Sequence, residues 1–341
     1  MKILVTGGAG YVGATVTRLL LDAGHQVEVV DDLSRNDDRQ IPAEATFHRL
    51  RVQDIAQVLT PGSGFEAVLH FAGLIAAGES MTHPQWHWDN NTRASLALLD
   101  AISEAAVPRL VFSSTAAVYG EPEEVPIVET AATNPVNTYG DTKLAVDRAI
   151  TSITRASELG AISLRYFNVA GAHTCIDGSS IGERHTPETH LIPLALEAAA
   201  GLRDKFSLFG DDYPTPDGTC IRDYIHVTDL AHAHLLAINA ITPGEHRIYN
   251  VGNGIGFSNR EVLDAVREVT GVAFETETAP RRPGDPAVLY ASSELAQREL
   301  GWNPTRPGIV KPCTDLSVPQ RKYWTRQNSC SSGSRMTMTT P

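Results

Sequence analysis

Lys2-Ile3-Leu4-Val5-Thr6-Gly7-Gly8-Ala9-Gly10-Tyr11-Val12-Gly13 opens the chain. The apolar run Ile3 to Val5 suits a buried strand, and a glycine-rich turn follows it. The next stretch carries Val12, Val16, Leu19 and Leu20 on one stripe, as an amphipathic helix does. Gly7, Gly10 and Gly13 stand three apart. Each omits a Cβ where the backbone must approach a pyrophosphate, and the unpaired N–H groups of the helix's first turn attract that anion. Three glycines alone would signal a tight turn. Set between a strand and a patterned helix, they signal a dinucleotide site.

The second strand candidate, Val27 to Val30, ends at Asp31-Asp32. A carboxylate there accepts from the adenosine ribose hydroxyl and repels a 2′-phosphate, which favours NAD over NADP. The sequence does not rank Asp31 above Asp32. Asp54-Ile55, after a third predicted strand, is a candidate adenine contact. Further strands are predicted at Ala67 to Phe71, Leu110 to Ser113 and Ala161 to Arg165, with helical stretches between them. This alternation predicts an α/β fold, a Rossmann-type doubly wound parallel sheet with a smaller α/β substrate domain. After Asn168 the texture changes to Gly, Pro, His and Thr, with one helix predicted from Leu191 to Ala200. The expected division is 1–168 for the dinucleotide domain, with 221–251 returning to it. Residues 169–220 and 252–325 form the substrate domain, and 326–341 a disordered tail.

At 341 residues, with 42% hydrophobic and 20% charged residues, the composition is that of a globular enzyme. A net charge of −12 argues against a nucleic-acid partner, which needs a basic face. The cysteines at 175, 220, 313 and 330 form no C-x-x-C pair, so no disulfide framework is expected and a reducing cytoplasm fits. Met1-Lys2 runs directly into a strand, so no signal peptide is expected. No apolar run approaches the roughly 18 residues needed to span a bilayer. His83 and His87 share helical spacing, but Pro84 lies between them and no carboxylate partner is placed, so no metal site is expected. His232 and His234 are read as packing or solvent residues.

Tyr139 precedes Lys143 by four residues, which puts a phenol and an ammonium on one helix face. A free tyrosine titrates at about 10. To act as a base near neutrality it must fall by roughly 3 units, or about 4 kcal/mol. The Lys143 ammonium and a positive nicotinamide ring are the expected sources. Ser113-Ser114-Thr115 follows the strand at Leu110, where a hydroxyl can bridge Tyr139 and a sugar hydroxyl.

These segments, with Phe71-Ala72-Gly73 and Arg165-Tyr166-Phe167-Asn168, resemble the extended short-chain dehydrogenase/reductase superfamily. Gly78-Glu79-Ser80, Asn168-Val169-Ala170-Gly171, Arg222-Asp223-Tyr224-Ile225-His226 and Arg281-Arg282-Pro283-Gly284-Asp285 narrow the resemblance to its UDP-glucose 4-epimerase family, as far as about Trp302. The resemblance implies bound NAD and inversion of a UDP-sugar at C4 through a 4-keto intermediate. Tyr139 would be the base, Lys143 its partner and Thr115 the catalytic hydroxyl. It places Gly7, Gly10, Tyr11, Val12, Gly13, Asp31, Asp32, Asp54, Ile55, Phe71, Ala72, Gly73, Asn90, Lys143 and Tyr166 at the cofactor. It places Thr115, Tyr139, Asn168, His190, Leu191, Ser207, Phe209, Arg222, Arg282 and Asp285 at the UDP-sugar. In that reading the arginines hold the diphosphate, Phe209 packs on uracil and Asp285 meets the ribose.

Trp86, Trp88 and Asn90-Asn91 lead into a helix through Leu96, Leu98 and Leu99, and the resemblance implies a homodimer through this helix and the helix of Tyr139. Ile75 stands where the family often has Lys, His190 where it often has Asn, and Leu289 near a position that gates N-acetyl sugars. The sugar stays open among hexose, N-acetylhexosamine, glucuronate and xylose. The 4,6-dehydratases share the Tyr and Lys but need an acid pair after the strand-end Thr, where this chain has Ala116-Ala117. An NAD-binding sensor without chemistry would not need Tyr139 and Lys143. Past Gly301-Trp302 the family's amphipathic helix is not evident, because Lys311-Pro312-Cys313 interrupts the pattern.

Overall fold

The computed structural model describes residues 1–185, 188–282 and 284–316. Its first half alternates strands and helices: β1 (Lys2–Thr6), α1 (Tyr11–Asp22), β2 (Gln26–Asp31), β3 (Thr46–Arg49), β4 (Ala67–His70), α2 (Ala77–Thr82), α3 (Pro84–His87), α4 (Ala94–Glu104), β5 (Arg109–Thr115), α5 (Thr138–Thr154) and β6 (Gly160–Tyr166). A π-helical turn, Trp88–Arg93, joins α3 to α4. The later elements are β7 (Asn168–Ala170), β8 (His173–Thr174), β9 (Ser180–Ile181), α6 (Leu191–Ala199), β10 (Phe206–Phe209), β11 (Ile221–His226), α7 (Val227–Ala240), β12 (His246–Val251), β13 (Gly256–Ser258), α8 (Asn259–Thr270), β14 (Thr276–Ala279), β15 (Val288–Leu289) and α9 (Glu294–Leu300).

Seven strands form one parallel sheet in the order β12-β6-β5-β4-β1-β2-β3. Both faces are covered, so the strands read as continuous apolar runs. Successive side chains on a strand point to opposite faces. Ile3 and Val5 therefore pack with Val16 and Leu20 of α1 and Leu230 of α7, while Leu4 packs with Leu98 of α4 and Ile150 of α5. Chain order runs one way from β1 through β2 to β3 and the other way from β4 through β5 and β6. The carboxyl ends of β1 and β4 therefore flank a topological switch point, the crevice where doubly wound sheets bind ligands.

A smaller unit sits at that end. There β11 pairs with β7 and β15 in parallel and with β13 antiparallel, β10 pairs with β14, and α6 packs on α8. Of segment 221–251, β12 joins the large sheet and α7 packs on α1, whereas β11 adds to the smaller sheet. The C-terminal reading needs correction. Residues 310–316 are helical despite Pro312, and Ile309, Cys313 and Leu316 complete the core shared by α6 and α8. Pro312 falls in the first turn of this helix, where a missing N–H breaks no intrahelical bond. The tail 326–341 lies outside the described residues.

Candidate active site

The glycine turn caps β1. A Cβ on Gly7, whose φ is +75°, would lie 2.5 Å from the Ala72 nitrogen, and one on Gly13 would lie 2.2 Å from the Gly7 oxygen. The protein's own packing therefore demands both glycines before any ligand is considered. Gly10 differs, since its nearest neighbour would be 3.3 Å away. It also N-caps α1, with no capping side chain and no acid in the first turn. The first-turn N–H groups are left for an anion, so the site suits a pyrophosphate. Tyr11 is buried and its hydroxyl donates to the Gly171 carbonyl; Val12 is half-buried.

Asp31 faces this turn. Its carboxylate accepts from the Ala9 N–H at 3.1 Å and the Leu33 N–H at 2.9 Å, while Asp32 turns outward to accept from Ser34 at 2.9 Å. Burial pushes the Asp31 carboxyl up, and the two N–H groups hold it back. Asp54 is exposed and Ile55 is buried in the core under α4. On the other side of β1, the Phe71 and Ala72 N–H groups both donate to the Thr6 carbonyl. Phe71 and Tyr166 converge on the buried His234 ring, at 4.8 and 6.2 Å between centroids.

Asn90, expected at the cofactor, is half-buried on the π turn. Its amide donates to the Trp86 carbonyl at 2.9 Å. Asn91 is the buried neighbour, bonding both the N–H and the C=O of Leu74 at 2.7 and 3.0 Å and the Thr142 hydroxyl at 3.0 Å. It lies against Gly73, where a Cβ would meet Asn91 Oδ1 at 3.0 Å and Lys143 Nζ at 3.5 Å. Both asparagines lie on the π turn that joins α3 to α4.

The C-terminal end of β5 and the N-terminal half of α5 carry the candidate catalytic side chains Thr115, Tyr139 and Lys143. Asn137 caps α5 by accepting from the Gly140 N–H at 2.9 Å, and Ser80 of α2 accepts from the Tyr139 N–H at 3.1 Å. Lys143 Nζ donates to the Ser113 carbonyl at 3.0 Å and lies 4.9 Å from the Phe112 ring centroid. Burial brings Lys143 down to about 8, opposed by the Asp147 carboxylate one turn on. Burial pushes the Tyr139 phenol up, and a hydrogen bond from the Thr115 hydroxyl pulls it back. The fall expected for Tyr139 is thus not produced by the protein alone. The Lys143 ammonium is committed to a main-chain carbonyl, and the phenol sits in a low-dielectric pocket. The Tyr166 hydroxyl bonds Ser113 Oγ, and both burial and the nearby Tyr139 push it up.

Below α5 lies a support the sequence reading missed. Asp147 accepts from Arg165 Nη2 at 3.0 Å and from Ser114 Oγ at 3.1 Å, and both charged side chains are almost fully buried. Tyr139, Lys143 and Asp147 recur every fourth residue, the signal that could have revealed it.

The second pole is built by the smaller unit. Arg222 Nη2 lies 2.6 Å from Asp285 Oδ1, and the Arg282 guanidinium lies 3.9 Å over the Phe209 ring. Ser207 donates to Glu277 at 3.1 Å. Asn168 is exposed on β7, in register with Tyr224 of β11. Leu191 begins α6, and His190 before it is held by Glu183. A Cβ on Gly284, next to Asp285, would lie 3.2 Å from the Val136 oxygen and 3.8 Å from Asn137 Cβ. The main chain just before Asp285 therefore abuts the turn that caps the helix of Tyr139.

Residues 3–252 match the model of the "NAD dependent epimerase/dehydratase family". The UDP-glucose 4-epimerase of Corynebacterium glutamicum is 52% identical over 324 residues, 95% of either chain. That of Streptomyces lividans is 54% identical over 312 residues, 91% of this chain and 93% of its own. A crystal structure of the Bifidobacterium longum UDP-glucose 4-epimerase with NAD+ and UDP superposes with a TM-score of 0.88 at 34% identity, covering 96% of this chain and 99% of that one. The glycine turn, the Tyr139–Lys143 helix and these relationships across nearly the whole length place the chain in the NAD dependent epimerase/dehydratase family and, within it, among the UDP-glucose 4-epimerases.

Proposed function

We propose that this protein interconverts UDP-galactose and UDP-glucose by inverting C4 of the sugar through a 4-keto intermediate, with NAD held tightly between cycles. The observation that carries this reading is the convergence of Tyr139 and Lys143 of α5 on the Thr115 end of β5, with Lys143 Nζ fixed at 3.0 Å to the Ser113 carbonyl. Tyr139 takes the proton of the 4-hydroxyl and later returns it, with Thr115 relaying it when the phenol is distant. Lys143 adds positive charge beside the dinucleotide. Bound NAD supplies an acceptor for the C4 hydride that can give it back to the opposite face.

Arg222 and Arg282 clamp the diphosphate, for which guanidinium geometry is suited. Phe209 packs on uracil, Asp285 meets the ribose, and Asn168, His190, Leu191 and Ser207 line the remaining wall. Residues 1–168 with α7 and β12 form the cofactor part, and the smaller unit forms the nucleotide-sugar part. Elimination of water as in the dehydratases is disfavoured, since Thr115 runs directly into the turn Ala116–Tyr119 and no carboxyl group follows it.

Trp86, Trp88 and Leu96 are each at least 40% exposed along α3, the π turn and α4. This face supports a homodimer. Among the described residues no helix is long and apolar enough to cross a membrane. With the dispersed cysteines, that supports a cytoplasmic location.

The test is incubation of the purified protein with UDP-galactose and no added NAD, followed by sugar analysis. Conversion to a mixture containing UDP-glucose is expected. Unchanged UDP-galactose in a protein shown to carry NAD would refute the activity.

A further inference from the structure

The segment leading into α6 gathers Glu183, His185, Glu188 and His190 outside the reacting pair. One donor atom from each lies within 4.8 Å of all the others. Their side chains are 3%, 20%, 8% and 41% exposed, so this is not a solvated acidic surface. Glu183 Oε1 lies 3.2 Å from His185 Nδ1 and 2.5 Å from His190 Nδ1, and Glu188 Oε1 lies 3.4 Å from His190 Nδ1. Both Nδ1 atoms are nevertheless buried without an aligned hydrogen-bond partner. Two imidazole nitrogens thus crowd one carboxylate oxygen without the geometry of an N–H···O bond. Lone-pair donors converging on a shared point would produce this arrangement.

We propose that Glu183, His185, Glu188 and His190 form a binding site for one divalent cation of the zinc class. Two imidazoles and two carboxylates are a donor set suited to Zn2+ or Co2+. With bonds of about 2.1 Å, the edge of a tetrahedral site is about 3.4 Å. The 3.2 and 3.4 Å separations already match that edge, and the His190–Glu183 contact has to open by less than 1 Å. Burial would push Glu183 up and His190 down. Their mutual attraction outweighs this, holding the Glu183 carboxyl down and the His190 imidazole up. An occupied site pins the chain immediately before Leu191. The consequence for substrate rests on the function proposed above, whereas the binding itself does not.

Cobalt is the probe. The full chain, without a histidine tag and stripped with EDTA, is titrated with Co2+ and then with Zn2+. The expected result is the intense visible spectrum of a four-coordinate ion, saturating at one equivalent and bleached by one equivalent of Zn2+. Glu183→Gln and His185→Ala should each weaken binding by at least about tenfold, with the far-ultraviolet circular dichroism unchanged. His185 is the more exposed of the two, so its variant carries the test if Glu183→Gln does not fold. The pale spectrum of an aquated ion, or an undiminished Co2+ spectrum in His185→Ala, would overturn the site and leave a buried ion pair in its place.

Discussion

Lys143 Nζ donates to the main-chain carbonyl of Ser113 at 3.0 Å, although the helix places Tyr139 only one turn before it. The ammonium is thereby fixed at the end of β5, beside Gly73 and Asn91, where the nicotinamide end of a dinucleotide is expected. In the proposed mechanism it serves the phenol as a positioned charge. In the protein alone, burial dominates and Tyr139 stays protonated at neutral pH. The acidity that proton transfer requires must then arrive with the cofactor's positive ring.

Tyr139→Phe removes the proton acceptor and little volume. Turnover should fall by about 10²–10⁴, while the NAD content of the purified protein and its affinity for UDP stay within a few fold. Steady-state kinetics with cofactor analysis reads both. Activity within a factor of a few of the parent would take the base role away from Tyr139.

Lys143 is cationic below its value of about 8 and neutral above it. It is about nine-tenths charged at pH 7 and about one-tenth at pH 9. Its contribution to proton transfer is thus present on the acid side and lost as pH rises. The rate should decline on an alkaline limb centred near 8. A profile still rising at pH 9 would show that the charge of Lys143 does not limit the reaction.

Asp31 faces the glycine turn and Asp32 does not. Asp31→Ala should lower the preference for NAD over NADP by about tenfold, one hydrogen bond to a charged group being worth about 1.5 kcal/mol or more. Asp32→Ala should leave it unchanged. Reconstitution of stripped protein with each dinucleotide checks this, and the reverse ranking would move the ribose contact to Asp32.

Asp147 and Arg165 form a buried ion pair beneath the reacting helix. Asp147→Asn strands the guanidinium and should destabilise the fold by about 3–5 kcal/mol. Urea unfolding measures the change. A loss below about 1 kcal/mol, the worth of an exposed pair, would mean that water reaches Arg165.

Trp88→Glu places a charge on the exposed apolar face of the π turn. Sedimentation should find the parent at twice the chain mass and the variant at the chain mass. A monomeric parent at micromolar concentration would remove the dimer.

By itself the sequence determined the local events. Short apolar runs became the parallel strands, Gly7 and Gly13 became a turn no larger residue fits, and Tyr139 and Lys143 came to share a helix face. Each of these depends on steric and periodic rules acting over a few residues. The tertiary structure decided what each side chain meets: Asn91 the main chain of Leu74, Asp31 rather than Asp32 the glycine turn, and Lys143 the Ser113 carbonyl. It also gave the segment around Pro312 a helix, by offering Ile309, Cys313 and Leu316 the apolar surface of α6 and α8. Periodicity records a residue's angle on its own element. Where that element sits, and what it meets there, is set by packing between segments distant in the chain.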